Sequence, residues 1–385
     1  MAEIQGSFDE RFEGVGDVLS ANLDSGADVG ASVCVVHDGQ TVVDLWGGTI
    51  DDAGTPWVED TIINVWSTTK TMTALTALML ADRGEIDFHS PVARYWPEFA
   101  ANGKGDIEVR HLMGHTAGLS GWQEPMSEAD VCDWETATSR LAAQAPWWEP
   151  GSASGYHALT QGYLVGEVIR RASGGTTVGE LFAKEIAGPL GADFHIGTGP
   201  EHDARVAKVI PPADATLGGD ALAALGEDSI AMRTLRNPAL PADWSWSEAW
   251  RRAEIPAAGG HGNARSVARV QSVLSHGGEV DGVQVLSPAG CDIVFEQQSN
   301  GPDLVLQAPL TLGMGYGISS EETPIGPNQR TCFWGGWGGS IVVNDLENRL
   351  TIAYVMNRMG EGTMGDDRGI GVVFAAYAAV LGATG

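Results

Sequence analysis

Two apolar runs, residues 31–36 and 41–46, flank Asp38-Gly39 near the start of the chain. An Asp-Gly pair supplies the positive φ angles of a tight two-residue turn, so this pattern predicts an antiparallel hairpin, with a helix ahead of it opening the chain. Further on, apolar residues at 72, 75, 78 and 79 repeat with helical spacing across 68–83, with Arg83 in the last turn and Gly84 just beyond it. That is a core-facing helix with its N-terminus at Ser67.

Between about Pro91 and Pro256 the pattern changes to helical segments broken by Trp, Pro and Gly, among them 159–172 and 178–186. After Gly259-Gly260 the run 264–274 is helical. The stretches 313–318, 331–343 and 349–356 alternate or run apolar like strands, and 370–381 closes the chain as a helix. With no repeat and no low-complexity linker, the expected organisation is one α/β lobe built from 1–90 and 257–385, with 91–256 inserted as a mostly helical lobe.

Composition changes the picture mainly through charge. The 385 residues hold 22 Lys and Arg against 50 Asp and Glu, a formal net charge of −28. Such a field repels phosphate backbones and anionic lipid, and no apolar run is long enough to span a bilayer, so nucleic-acid and membrane roles are not expected. The first residues lack a basic segment followed by an apolar one, which makes the cytoplasm the expected compartment. Cys34, Cys132, Cys291 and Cys332 lie far apart with no C-x-x-C, and all four read as buried thiols.

The chemistry is concentrated in three places. Ser67-Thr68-Thr69-Lys70 puts a hydroxyl and an ammonium three residues apart at a helix start, on neighbouring rows of one face. A partly desolvated lysine in that position shuttles a proton, and the helix N-terminus favours negative charge where an oxyanion forms. The chain's serines and lysines predict roughly a quarter of one such spacing by chance, so the motif needs company. It has two companions: 147–158, a Gly- and Ser-rich turn delivering Tyr156 ahead of a helix, and 333–340, where Trp334-Gly335-Gly336 precedes a strand and lets backbone approach a ligand closely.

In order and approximate spacing, Ser67 to Lys70, Tyr156 and Trp334-Gly335-Gly336 resemble the serine β-lactamase and penicillin-binding-protein superfamily, most closely its family VIII carboxylesterase branch, which is similar to class C β-lactamases. The resemblance extends through 96–99, 111–119, 189–191 and the C-terminal strands. It implies a β-lactamase-like α/β (α+β) fold, a central antiparallel sheet flanked by helices with a mostly helical second lobe and the active site in the cleft between them. Carried over, Ser67 is the acylated nucleophile, Lys70 keeps the proton network poised, and Tyr156 is the general base. The backbone N–H groups of Ser67 and Trp337 form the oxyanion hole. Trp334, Gly335 and Gly336, with His157 and His261, are the expected substrate-binding residues.

Two positions depart from the lactamase pattern. Ala158 stands where an Asn often follows the Tyr, and Trp334 replaces the Lys of K-T-G, so polar recognition of a substrate amide or carboxylate is lost and a neutral ester is favoured. The resemblance therefore implies a serine carboxylesterase acting on small to medium esters, without cofactor or metal. Acyl transfer, hydrolysis of an amide such as a nylon oligomer, weak β-lactamase activity and a catalytically dead binding member are the rivals. His111 and His115 are four apart, yet Leu112 occupies the Glu position of H-E-x-x-H, so a metal is not expected. No G-x-S-x-G or nucleotide-binding glycine motif occurs.

Overall fold

A computed structural model describes residues 3–213, 217 and 225–382. Strands β1 (Ile4–Phe8), β2 (Gly30–His37) and β3 (Gln40–Gly48) come first, with helix α1 (Glu13–Asp24) between β1 and β2. Then follow β4 (Ile63–Asn64), helix α2 (Thr69–Asp82), helix α3 (Trp134–Ala143), helix α4 (Thr160–Ala172), β5 (Phe194–Ile196), β6 (Gly260–Gly262) and helix α5 (Ala264–Ser275). The chain ends through β7 (Ser299–Pro302), β8 (Pro309–Leu312), β9 (Gly317–Ile318), β10 (Thr331–Gly335), β11 (Ile341–Asp345), β12 (Leu350–Met356) and helix α6 (Asp367–Gly382).

Nine strands form one antiparallel sheet in the order β1-β3-β2-β12-β11-β10-β9-β8-β7, so the first and last parts of the chain meet where β2 pairs with β12. The hairpin turns at Asp38 and Gly39, both with positive φ. Period-two alternation assigns the faces. Gly369 of α6 packs on Ile341 and Tyr354. On the other face Asn344 and Thr351 bond Gln271 and Ser275 of α5. Trp334, opposite Val342, shares that second face. Behind α5 lies α2, and beyond it the helices of the middle segment. A large antiparallel sheet with helices on both faces, with no closed barrel among the described residues, is the arrangement that the resemblance implies.

Helix α2 is buried on every side from Thr69 to Leu80. Its threonines hide this in the sequence, because each hydroxyl is spent on a carbonyl: Thr71 on Thr68 O at 2.7 Å, Thr73 on Pro256 O at 2.7 Å and Thr76 on Met72 O at 2.8 Å. A polar residue satisfied in this way is compatible with a fully buried helix.

The structure corrects four expectations. The chain opens with strand β1 before its first helix. The run 331–343 is two strands around a turn at 336–340, and 313–318 contains a turn between β8 and β9. The segment expected to be mostly helical also carries strand β5, which pairs with β6. Cys132 is only partly buried, although all four cysteines are free thiols. Among the described residues no helix is long and apolar enough to cross a membrane.

Candidate active site

Ser67 sits in a single 3-10 turn (Trp66–Thr68) feeding α2. The turn is strained: Trp66 has φ +49°, a left-handed conformation costing a bulky side chain about 1–3 kcal/mol. Its surroundings hold it there. Thr69 donates to Trp66 O at 2.6 Å, and the indole is wedged between Trp337 and Trp250, with ring centroids 5.0 and 5.7 Å away.

From this turn Ser67 and Lys70 emerge on the same side, and Tyr156 meets them from the loop ahead of α4. The Tyr156 hydroxyl is 2.5 Å from Ser67 Oγ, while Lys70 Nζ is 3.1 Å from Ser67 Oγ and 3.0 Å from Tyr156 Oη. Lys70 also donates to Ala158 O at 2.7 Å and Ala257 O at 3.0 Å. Carbonyls only accept, so two N–H groups are committed to them in either charge state. As a neutral amine Lys70 then has its lone pair left for a hydroxyl; as an ammonium it has one more N–H to give.

Burial weights the neutral state. Lys70 is fully buried with no carboxylate bonded to it, and desolvation pushes its pKa well below the ordinary lysine range. Burial pushes the Tyr156 phenol upward, reinforced by the nearby Asp303 charge and opposed by hydrogen bonding from Ser67 and by the Trp334 indole. That indole N–H lies close to the phenol but meets no acceptor with hydrogen-bond geometry. Both shifts favour an uncharged Tyr–Lys pair over phenolate and ammonium.

The β10–β11 turn closes over Ser67. Ser340 Oγ donates to Val65 O at 2.9 Å and lies 3.0 Å from Thr68 Oγ1. Gly336 permits the approach: a Cβ there would fall 2.4 Å from Val65 O and 3.3 Å from the Ser67 nitrogen. Neither the Ser67 nor the Trp337 N–H donates to a protein acceptor among the described residues. Gly335 lies on the opposite side, against the backbone of Met364.

Trp334 is fully buried, stacked on His115 at 5.4 Å and 12° and tilted against Tyr156 at 5.8 Å. It backs the tyrosine and offers no exposed surface. His157 and His261, expected to line the cleft, are also fully buried. His157 Nδ1 donates to Gly155 O at 2.6 Å and Nε2 accepts from the Leu119 N–H at 3.2 Å, so both nitrogens brace the loop. His261 lies in β6 with Nδ1 on Gly259 O at 3.0 Å. Neither bonds Ser67: both rings are buried in the interior, where the neutral form of an imidazole costs least to desolvate. His111 accepts the Glu108 N–H at 3.1 Å as part of a helix cap, and His115 accepts that of His157 at 3.1 Å. Sequence reasoning missed the Ala257 carbonyl and Asp303, which touch the site from distant segments, and gave no role to Thr68 and Ser340 within the motifs it named.

The sequence model of the beta-lactamase family matches residues 16–376 of this chain. The chain belongs to that family. Among its beta-lactamase relatives is the esterase/beta-lactamase LipL of Mycobacterium tuberculosis, 37% identical over 92% of this chain and 83% of LipL. A crystal structure described as a family VIII carboxylesterase is 39% identical with a TM-score of 0.91, covering 98% of this chain and all of that one. The EstA structure from Arthrobacter nitroguajacolicus is 28% identical with a TM-score of 0.88, covering both chains completely. A beta-lactamase of Escherichia coli is 28% identical over 36% of this chain and 34% of its own length.

Proposed function

We propose that this protein is a serine carboxylesterase that cleaves small to medium neutral esters through an acyl-enzyme on Ser67. The observation that carries this reading is the buried cluster in which Ser67 Oγ, Tyr156 Oη and Lys70 Nζ lie within 2.5–3.1 Å of one another. The names of its relatives, an esterase/beta-lactamase and a family VIII carboxylesterase, support it.

In the first half-reaction Ser67 Oγ attacks the ester carbonyl carbon. Its proton passes to the Tyr156 oxygen as the Tyr156 proton passes to the neutral Lys70 amine. The tetrahedral oxyanion accepts from the Ser67 and Trp337 N–H groups, each such donor accounting for about 10²–10³ in rate. Collapse breaks the C–O bond to the leaving alcohol, whose oxygen takes the proton back from Lys70 through Tyr156. Water then repeats the sequence on the acyl-serine, releasing the acid and regenerating Ser67. In this relay Lys70 carries the positive charge while the oxyanion exists.

A reducing compartment fits the four free thiols, and we place the protein in the cytoplasm. The test is a series of p-nitrophenyl esters of increasing acyl length, with fluorophosphonate labelling located by peptide mass spectrometry. Turnover that disappears in Ser67→Ala, with the label on Ser67 in the parent, is expected. Label elsewhere, or undiminished turnover in the variant, refutes the reading.

A further inference from the structure

Asp303 lies in the turn that closes the β7–β8 hairpin at the sheet edge, far in sequence from the site. Its side chain is nevertheless buried, 1% exposed. One oxygen, Oδ1, accepts three backbone N–H groups: Val305 at 2.8 Å, Leu306 at 2.9 Å and Tyr156 at 2.9 Å. The first two are local to the turn. The third crosses 147 residues to the tyrosine of the relay. Beside it the Leu304 N–H donates to Ser154 O at 2.9 Å, so the hairpin turn and the Tyr156 loop are joined by two hydrogen bonds.

The other amides of that loop are fixed from the opposite side. Gly155 N–H donates to His115 O at 3.0 Å and His157 N–H to His115 Nδ1 at 3.1 Å. Three consecutive N–H groups are therefore held, the middle one by Asp303. Asp303 Oδ2 is buried with no hydrogen-bond partner among the described residues. A carboxylate oxygen is the acceptor that makes the shortest and stiffest bonds to three amides at once. The 2.5 Å and 3.0 Å distances from Tyr156 to Ser67 and Lys70 leave little room for the loop to move.

We infer that Asp303 is a positioning residue for catalysis, which sets the height of the Tyr156 backbone and so the distance from Oη to Ser67 and Lys70. This rests on Tyr156 acting in the relay. A displacement approaching 1 Å at a reacting group costs on the order of 10² in rate. Asp303 is buried and bonds the Tyr156 backbone N–H, so ester binding is expected to change little.

The experiment measures kcat per active site, calibrated by fluorophosphonate titration, and KM for p-nitrophenyl butyrate. Asp303→Ala removes the acceptor and is expected to lower kcat about 10²-fold with KM within about threefold. Asp303→Asn keeps Oδ1 in place and is expected to recover kcat to within about tenfold of the parent. A merely structural aspartate would lower yield and melting temperature while leaving per-site kcat unchanged. Wild-type per-site kcat in Asp303→Ala, or an Asn variant as slow as the Ala variant, overturns the inference. If the Ala variant does not fold, Asp303→Glu carries the test: moving the oxygen by one methylene is expected to lower kcat at least tenfold, and an unchanged kcat overturns it. Tyr156→Phe, run alongside, separates the two claims. Full activity there refutes the relay itself, whereas a slow Tyr156→Phe enzyme beside a fully active Asp303→Ala enzyme refutes only the role of Asp303.

Discussion

Lys70 donates to the carbonyl of Ala158, two residues beyond Tyr156, whose hydroxyl lies 3.0 Å from the same amine. The bond ties the amine and the phenol to one stretch of backbone, so their separation does not depend on side-chain flexibility. Ala158 is also the residue that stands at the sequence position where lactamases of the resembling type often carry an Asn. One contact thus both steadies the base and marks the departure in specificity.

The relay predicts a particular pH dependence. Deprotonated Lys70 is the active form, and burial lowers its pKa well below 10.5, so kcat/KM rises with pH and levels off well before that value. The Tyr156 phenol, pushed upward, adds no falling limb in the ordinary range. Lys70→Arg, which never loses its proton, is expected to cost about 10³ or more at every pH. Tyr156→Phe combined with Lys70→Ala is expected to be little slower than either single variant, since the two act as one unit. Losses that multiply would show two independent groups.

Gly336→Ala tests the closure over the nucleophile. The added Cβ would meet Ser340 Oγ at 2.3 Å and Val65 O at 2.4 Å, both fixed by the hydrogen bonds that shape the Ser67 turn. Relief of that clash must push Trp337 away from Ser67. Expected is a kcat loss of about 10²-fold or more, consistent with one lost oxyanion donor, with a smaller change in KM. Steady-state kinetics on p-nitrophenyl butyrate read both.

Acid stability follows from the histidines that line no cleft. His157 and His261 are held at a pKa of about 3 by burial, against 6.5 when unfolded. Between those values the unfolded chain binds protons that the folded one does not, so their contribution is complete above about 6.5 and is lost as pH falls toward 3. Melting temperature is expected to drop through that window, and to drop less steeply in His157→Gln and His261→Gln. A slope identical to the parent in both variants would assign acid lability to other groups.

How much of this was readable beforehand depends on how local the signal was. The hairpin at Asp38-Gly39 and the helix after Ser67 carry turn and cap residues next to their periodic positions, and both occur where the pattern puts them. The run 331–343 misleads because its turn contains the apolar Trp337, which serves the site and breaks the polar-turn rule. His157 looks like a cleft residue because it adjoins Tyr156, and His261 because it follows a glycine pair; neither signal reveals that the side chains are buried. Asp303 has no local signature beyond its turn; its partner lies 147 residues away, a distance over which only the folded sheet carries information.

The substrate preference gives the sharpest test. A β-lactamase holds an anionic carboxylate on the drug and the amide beside its ring, tasks that need a cation and an amide-bearing side chain. Here Trp334 is buried against His115 and Tyr156, and Ala158 presents only a carbonyl already bonded to Lys70. Each missing hydrogen bond to a charged group is worth about 1.5–3 kcal/mol, so two together cost roughly 10²–10⁴ in specificity. The net charge of −28 adds a further penalty for an anion, screened beyond about 8 Å at physiological salt. A neutral ester meets neither obstacle. The kcat/KM for nitrocefin is therefore expected to fall at least 10²-fold below that for p-nitrophenyl butyrate. The gap should narrow little in high salt, because most of it comes from missing contacts and only a small part from the long-range field. Equal efficiency on the two substrates would mean that another cation in the cleft binds the carboxylate, and the argument from Trp334 and Ala158 would fail.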